Sequence, residues 1–171
     1  MSSLNAPPNA VAVIALMWRD DAVMKAVRRS MVHRLGAIAS EISYPFSHSS
    51  YYDAEMGAGL TKSLWAFAKP VARERIVDMK RYAVKLEKKY SVDGKRRVNI
   101  DPGLLTPENF ILGTGKNFTH RIYLGRGVFA DLTLTYRKGE GYCALPWTYR
   151  DYMTDEVRAF LENVRNAMGN G

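Results

Sequence analysis

The apolar and polar positions of this chain fall into blocks of different period. Residues 10–18, AVAVIALMW, form an unbroken apolar run, the pattern of a strand buried on both faces. Asp20 or Asp21 then offers a helix cap. Val23, Val27, Met31 and Leu35 recur every four residues until Gly36, which predicts a helix over 21–35. Residues 37–44 alternate, with Ile38, Ile42 and Tyr44 against Ala39, Glu41 and Ser43, as an edge strand would. A second unbroken run, 64–68, predicts another doubly buried strand. Pro70 opens a long helix with core positions Ile76, Met79, Ala83, Leu86 and Tyr90. After an Asp93-Gly94 turn, 97–100 reads as a short alternating strand.

This β-α-β-β-α-β order predicts an α+β fold, a ferredoxin-like core with strands one and three central and strands two and four at the edges. Asp101-Pro102-Gly103 is expected to end strand four, and Thr106-Pro107-Glu108 to open a short helix ending near Gly113. A C-terminal β-hairpin over 119–136 and a final helix extend the core. With Gly125-Arg126-Gly127 as its turn, the hairpin pairs Leu124 with Val128, Ile122 with Ala130 and His120 with Leu132 on one face. The other face pairs Tyr123 with Phe129 and Arg121 with Asp131, opposite charges in register. Thr154 caps the last helix, which buries Val157, Phe160, Leu161, Val164 and Met168 and covers the second face of the sheet. Residues 1–9 read as a disordered leader, 10–168 as a single domain and 169–171 as a frayed tail.

Charge sharpens this picture. The 171 residues carry a net +8, and segment 69–97 alone holds eleven basic residues against four acidic ones, nearly the whole excess. Arg81, Lys85 and Lys88 form a stripe on the predicted second helix, suited to a phosphate backbone or to a solvated face near a helix C-terminus. The sheet faces look covered, which argues against open-sheet RNA readout. No apolar run approaches the roughly 20 residues of a membrane span, so no membrane association is expected. The N-terminus lacks a basic signal region, and the single Cys143 allows no internal disulfide; both lead us to expect a cytoplasmic protein.

Four stretches carry a family resemblance. They are Tyr51-Tyr52-Asp53 with Glu55-Met56-Gly57; Lys95 through Gly103, KRRVNIDPG; His120 through Gly125, HRIYLG; and Pro146-Trp147-Thr148-Tyr149. Over most of its length the chain resembles a bacterial family catalogued as domain of unknown function 4416, whose members sometimes bear the label GTP-binding protein. The resemblance implies a family and a length but no mechanism. The label itself finds little in the residues. A phosphate-binding Walker loop needs G-x-x-x-x-G-K-[ST]. Around Gly115-Lys116 the first glycine is replaced by Phe110 and the hydroxyl residue by Asn117.

The candidate chemistry is therefore local. Asp53 and Glu55 offer carboxylates for a divalent metal or for acid–base work, against the plainer reading of a solvated loop. Asp101 and His120 are candidate catalytic acid–base groups, while a tight turn and a core histidine are the structural alternatives. Gly113, Gly115 and Lys116 would offer amides and an ammonium to a phosphate, or simply form a loop. The expected topology sets Asp53 and Asp101 at opposite ends of the sheet, in separate sites. Three readings stand. The first is binding of a phosphate-bearing ligand, nucleotide or RNA backbone, through Arg81, Lys85, Lys88, Lys95, Arg96 and Lys116. The second is an enzyme acting on a phosphorylated substrate with Asp101 and His120. The third is an interaction subunit using the aromatic segments around Tyr51 and Trp147.

Overall fold

The computed structural model describes residues 3–47 and 52–169, with Asp53 and Ala54 described by their backbone alone; Tyr51 and the Asp53 side chain thus lie outside the described residues. Strands are β1 (Val11–Trp18), β2 (Ile38–Pro45), β3 (Thr61–Phe67), β4 (Val98–Leu105), β5 (Asn109–Thr114), β6 (Arg121–Gly125), β7 (Val128–Arg137) and β8 (Gly141–Ala144). Helices are α1 (Asp21–Leu35), the one-turn α2 (Asp53–Met56), α3 (Ile76–Lys89) and α4 (Asp155–Met168). Among the described residues all eight strands join one antiparallel sheet in the order β2-β3-β1-β4-β5-β7-β6, with β8 on β7.

Strand β1 is the axis of the packing. Ala12, Ile14 and Leu16 project to the side covered by α1 and α3, where they meet Val27, Met31, Met79 and Ala83. Val13 and Ala15 project to the other side and pack with Leu64, Leu112 and Leu134 beneath α4. Both faces are dry, as the unbroken apolar runs of β1 and β3 require. The caps are also those the sequence suggests: Asp20 accepts from the Ala22 and Val23 amides, and Thr154 from the Val157 amide.

The ferredoxin-like core with an appended hairpin is not what forms. The sheet does not end at a fourth strand; it continues through β5, β7 and β6 and curls into an open half-barrel. Asp101-Pro102-Gly103, expected as a turn, lies inside β4, with Asp101 opposite Ala15 on β1. The segment expected as a short helix is β5, paired with Gly103, Leu104 and Leu105. The hydroxyl of Thr106 accepts from the amides of Glu108 and Asn109, as a helix cap would. The same bonds also make a side-chain turn between strands, and here the alternating burial of Phe110 and Leu112 decides for a strand.

Pairing of β4 with β5 stops at Gly103. The next backbone donor on that edge would belong to Pro102, which has no N–H. Beyond it the two strands part. The Ile100 amide donates instead to Glu87 Oε1 at 2.6 Å, and the Ile100 carbonyl accepts from Lys80 Nζ at 2.9 Å. Two side chains of α3, seven residues apart on one helical stripe, thus take over the backbone bonds a neighbouring strand would make.

Candidate ligand-binding cleft

At this parting a cleft of about 910 Å³ opens, within the range of small-molecule sites. β4 contributes Asn99 and Asp101, and β5 with its following loop contributes Gly113, Thr114, Gly115 and Lys116. Gly113 sits against α3, where a Cβ would stand 3.0 Å from Ile76 Cγ1 and 3.5 Å from Lys80 Cβ. That close approach brings Lys80 to the cleft.

One wall is a continuous ionic chain. Lys80, 7% exposed, donates to Asp101 Oδ1 at 2.8 Å, and Asn99 donates to Asp101 Oδ2 at 2.7 Å. Asn99 in turn accepts from Arg96, which grips both Glu55 oxygens at 2.7 Å. Burial works to raise the Asp101 carboxyl, but the Lys80 charge and the bonds from Lys80 and Asn99 outweigh it and hold Asp101 below its ordinary value. Burial likewise opposes the charged form of Lys80, yet Asp101 and Glu87 keep its ammonium above the usual range. Glu87 shifts the other way, raised chiefly by its own burial. Glu55 is lowered by its bonds from Arg96, with help from the charge of Lys116.

The opposite wall is aromatic and polar. His120 stacks on Trp147 with ring centres 4.7 Å apart, and its Nε2 lies 3.4 Å from Asp131 Oδ2. Arg121 donates to the same Asp131 oxygen at 2.8 Å and to the Lys116 carbonyl at 3.1 Å, which ties down the loop after β5. Trp147 is held by its Nε1 donating to the Leu132 carbonyl. At the floor Lys62 forms a buried ion pair with Asp151, under the ring of Tyr152.

The sequence candidates divide accordingly. Asp101, His120, Arg96, Gly113, Gly115 and Lys116 all line this one cleft. Lys95 lines a neighbouring recess, which Arg96 shares. Arg81, Lys85 and Lys88 stand exposed on α3 and line neither. The separation expected between Asp53 and Asp101 turns on the Asp53 side chain, which lies outside the described residues; Glu55, two positions on, is joined to Asp101 through Arg96 and Asn99. Asp101 itself is mid-strand, not at the strand end the expected topology gave it. Both Glu55 oxygens are occupied by Arg96, and no group of three metal-ligating side chains occurs among the described residues.

The Arg121–Asp131 pair forms in the predicted register, as do Ile122 with Ala130 and Tyr123 with Phe129. A bulge after Tyr123 puts Gly125 rather than Leu124 opposite Val128, and His120 falls in the turn before β6. His120 therefore does not pair with Leu132. Lys62, Lys80, Glu87 and Asp151 escaped the sequence reading. Their signal is a charged residue on a buried stripe: Lys62 alternates with Leu64 and Ala66 on β3, and Lys80 follows Ile76 by four on α3.

The four stretches that carry the family resemblance, scattered over a hundred residues, each supply lining residues: Tyr52, then Arg96, Asn99 and Asp101, then His120 and Arg121, then Pro146 to Tyr149. Comparison with curated proteins and with solved structures finds no match. No helix among the described residues is long and apolar enough to cross a membrane. A family model does match residues 8–168, nearly the whole chain, and the protein belongs to that family, the Domain of unknown function (DUF4416).

Proposed function

We propose that the cleft binds a small phosphate-bearing molecule with a flat ring, for which a nucleotide is the fitting chemical class. The observation that carries this reading is the composition of the walls. Lys62, Lys80, Arg96, Lys116, Arg121 and Arg150 outnumber the lining carboxylates Glu87, Asp101, Asp131 and Asp151, while Phe118, Trp147 and Tyr149 offer exposed rings. Cations in a concave, partly dry site attract an anion more strongly than the same charges on an open surface. The stripe of Arg81, Lys85 and Lys88 lies away from these walls, which favours a small molecule over an RNA backbone. The test is calorimetric titration and thermal shift with nucleoside mono-, di- and triphosphates, with and without magnesium. A ligand at 100 times its dissociation constant adds about 2.7 kcal/mol of stability. Binding that weakens in Lys116→Ala supports the reading; no stabilisation by any phosphate compound refutes it.

A second reading builds on the first. Asp101, held ionised, and His120, fixed by Trp147 and Asp131, line the same cleft, which supports the reading that they act as acid–base groups on a bound phosphorylated substrate. Turnover lost in Asp101→Asn or His120→Ala, with binding retained, would support it. Binding without turnover under any condition would leave the protein a binding module.

A further inference from the structure

The ion pair Arg96–Glu55 has a second side. Behind it lies a separate recess of about 470 Å³, lined by Arg19, Asp20, Glu55, Lys95, Arg96 and Arg97. Arg96 belongs to both cavities and is committed to Glu55; Arg97 is committed to Asp20. Arg19 and Lys95 are different. Among the described residues neither side chain is hydrogen-bonded or ion-paired to a carboxylate, yet both face the recess. Four cations against two carboxylates, both already engaged, leave a local excess that only an anion would neutralise.

Two backbone features build this recess. Gly57, at φ +82°, lies under the Arg19 guanidinium, and a Cβ there would stand 2.5 Å from Arg19 Nη1. The glycine thus meets two demands at once, a left-handed backbone and room for a guanidinium. On the other flank Val92 and Lys95 bond to each other through both backbone amides, across Asp93 at φ 50° and Gly94 at φ 75°. This is a tight two-residue hairpin turn, which fixes the backbone from which Lys95 projects. Glu55-Met56-Gly57 and Lys95-Arg96-Arg97 stood out in the sequence, and the cleft leaves Gly57, Lys95 and Arg97 unused.

We propose that this recess is a second anion site, which takes the phosphoryl group of a small phosphate ester or of pyrophosphate, through Arg19 and Lys95 with Arg97 at its edge. It is distinct from the cleft, with which it shares Arg96. Guanidinium groups suit this ligand because their paired donors match phosphate oxygens two at a time.

The probe is inorganic pyrophosphate, titrated at constant ionic strength into the full chain while the arginine Nε–Hε resonances are followed by NMR. The Arg19 and Arg97 signals are expected to move saturably. Arg19→Gln should weaken the affinity by about tenfold or more, the scale of one lost charge-assisted pair of bonds. Gly57→Ala keeps every charge but displaces the Arg19 guanidinium and strains a left-handed backbone, so it should weaken binding as well, whereas Lys116→Ala, a change in the cleft that reaches the recess only through its charge near Glu55, should cost much less. Drift without saturation would overturn the proposal. So would affinity unchanged in both Arg19→Gln and Gly57→Ala, because general electrostatic attraction would then explain the shifts. Equal loss in Lys116→Ala would move the bound anion into the cleft and overturn it too.

Discussion

Replacing Lys80 with methionine would remove the charge at the parting of β4 and β5 while keeping most of the side-chain volume against Gly113. In the native protein Lys80 satisfies the Ile100 carbonyl and one Asp101 oxygen, and its side chain is 8% exposed. An orphaned buried carbonyl costs about 1–3 kcal/mol. Leaving a fully buried charge without its partner costs about 3–5 kcal/mol. Asp101 keeps its bond from Asn99 and its side chain is 33% exposed, which places its share below that range. The expected loss is about 3 kcal/mol at pH 7, read from urea denaturation as a lower midpoint at constant slope.

The pH dependence has a definite sign. A carboxyl depressed in the folded state contributes stability above its unfolded value of about 3.9, and that contribution disappears as the pH falls through the folded value. Lys80, raised in the folded state, contributes below its unfolded value of about 10.4, and that contribution disappears as the pH rises through the folded value. The difference between native protein and variant should therefore be full at pH 7 and shrink towards pH 3. Asp101→Asn added to Lys80→Met should recover part of the loss. A difference below about 0.5 kcal/mol at pH 7 would fall within the range of ordinary surface substitutions. That result, or one unchanged between pH 7 and pH 3, would refute the assignment of Lys80 as the bridge between the strands.

Asp151→Asn breaks the buried pair with Lys62, whose two side chains are 4% and 8% exposed; a loss of about 3 kcal/mol is expected, and Lys62→Met with Asp151→Leu should restore much of it, by the same denaturation assay. Gly103→Ala would place a Cβ 2.7 Å from the fully buried Phe110 ring and 3.0 Å from the Ile111 carbonyl, so about 2 kcal/mol should be lost despite an ordinary backbone angle. Ile122→Lys, on a residue 70% exposed at the β6 edge, should leave the unfolding midpoint unchanged and lower light scattering at high concentration.

The elements that were legible in the sequence are those whose own pattern decides them. Val23, Val27, Met31 and Leu35 are the buried positions of α1, and Val157, Phe160, Leu161 and Val164 those of α4. The pairing of Arg121 with Asp131 has the register the sequence suggests, though it is reached through an Arg126-Gly127 turn and a bulge after Tyr123. The fold class was misread at one place, residues 101–113. Pro102 and Thr106 carry turn and cap chemistry, but β1 and β7 supply strand partners on either side. A strand in mid-sheet is chosen by neighbours distant in sequence, which local propensity does not register. Of the candidate residues, Asp101, Arg96, Lys116 and His120 line one cleft, but the joins between its walls were not legible. Arg96 and Glu55 meet across 41 residues, and Lys80 and Asp101 at the gap that opens where Pro102 has no donor to offer.

The most direct test of the cleft as a ligand site uses its own reporter. Of the three tryptophans Trp147 alone lines the cleft; Trp65 lies in the core beneath Arg28, and Trp18 is bonded to Ser63. The protein would be labelled with 5-fluorotryptophan and titrated with nucleoside phosphates while the fluorine spectrum is followed. A saturable shift of the Trp147 resonance, with Trp18 and Trp65 still and the effect weakened in Lys116→Ala, is the predicted result. No saturable shift with any phosphate compound, or equal movement of all three resonances, would contradict the account.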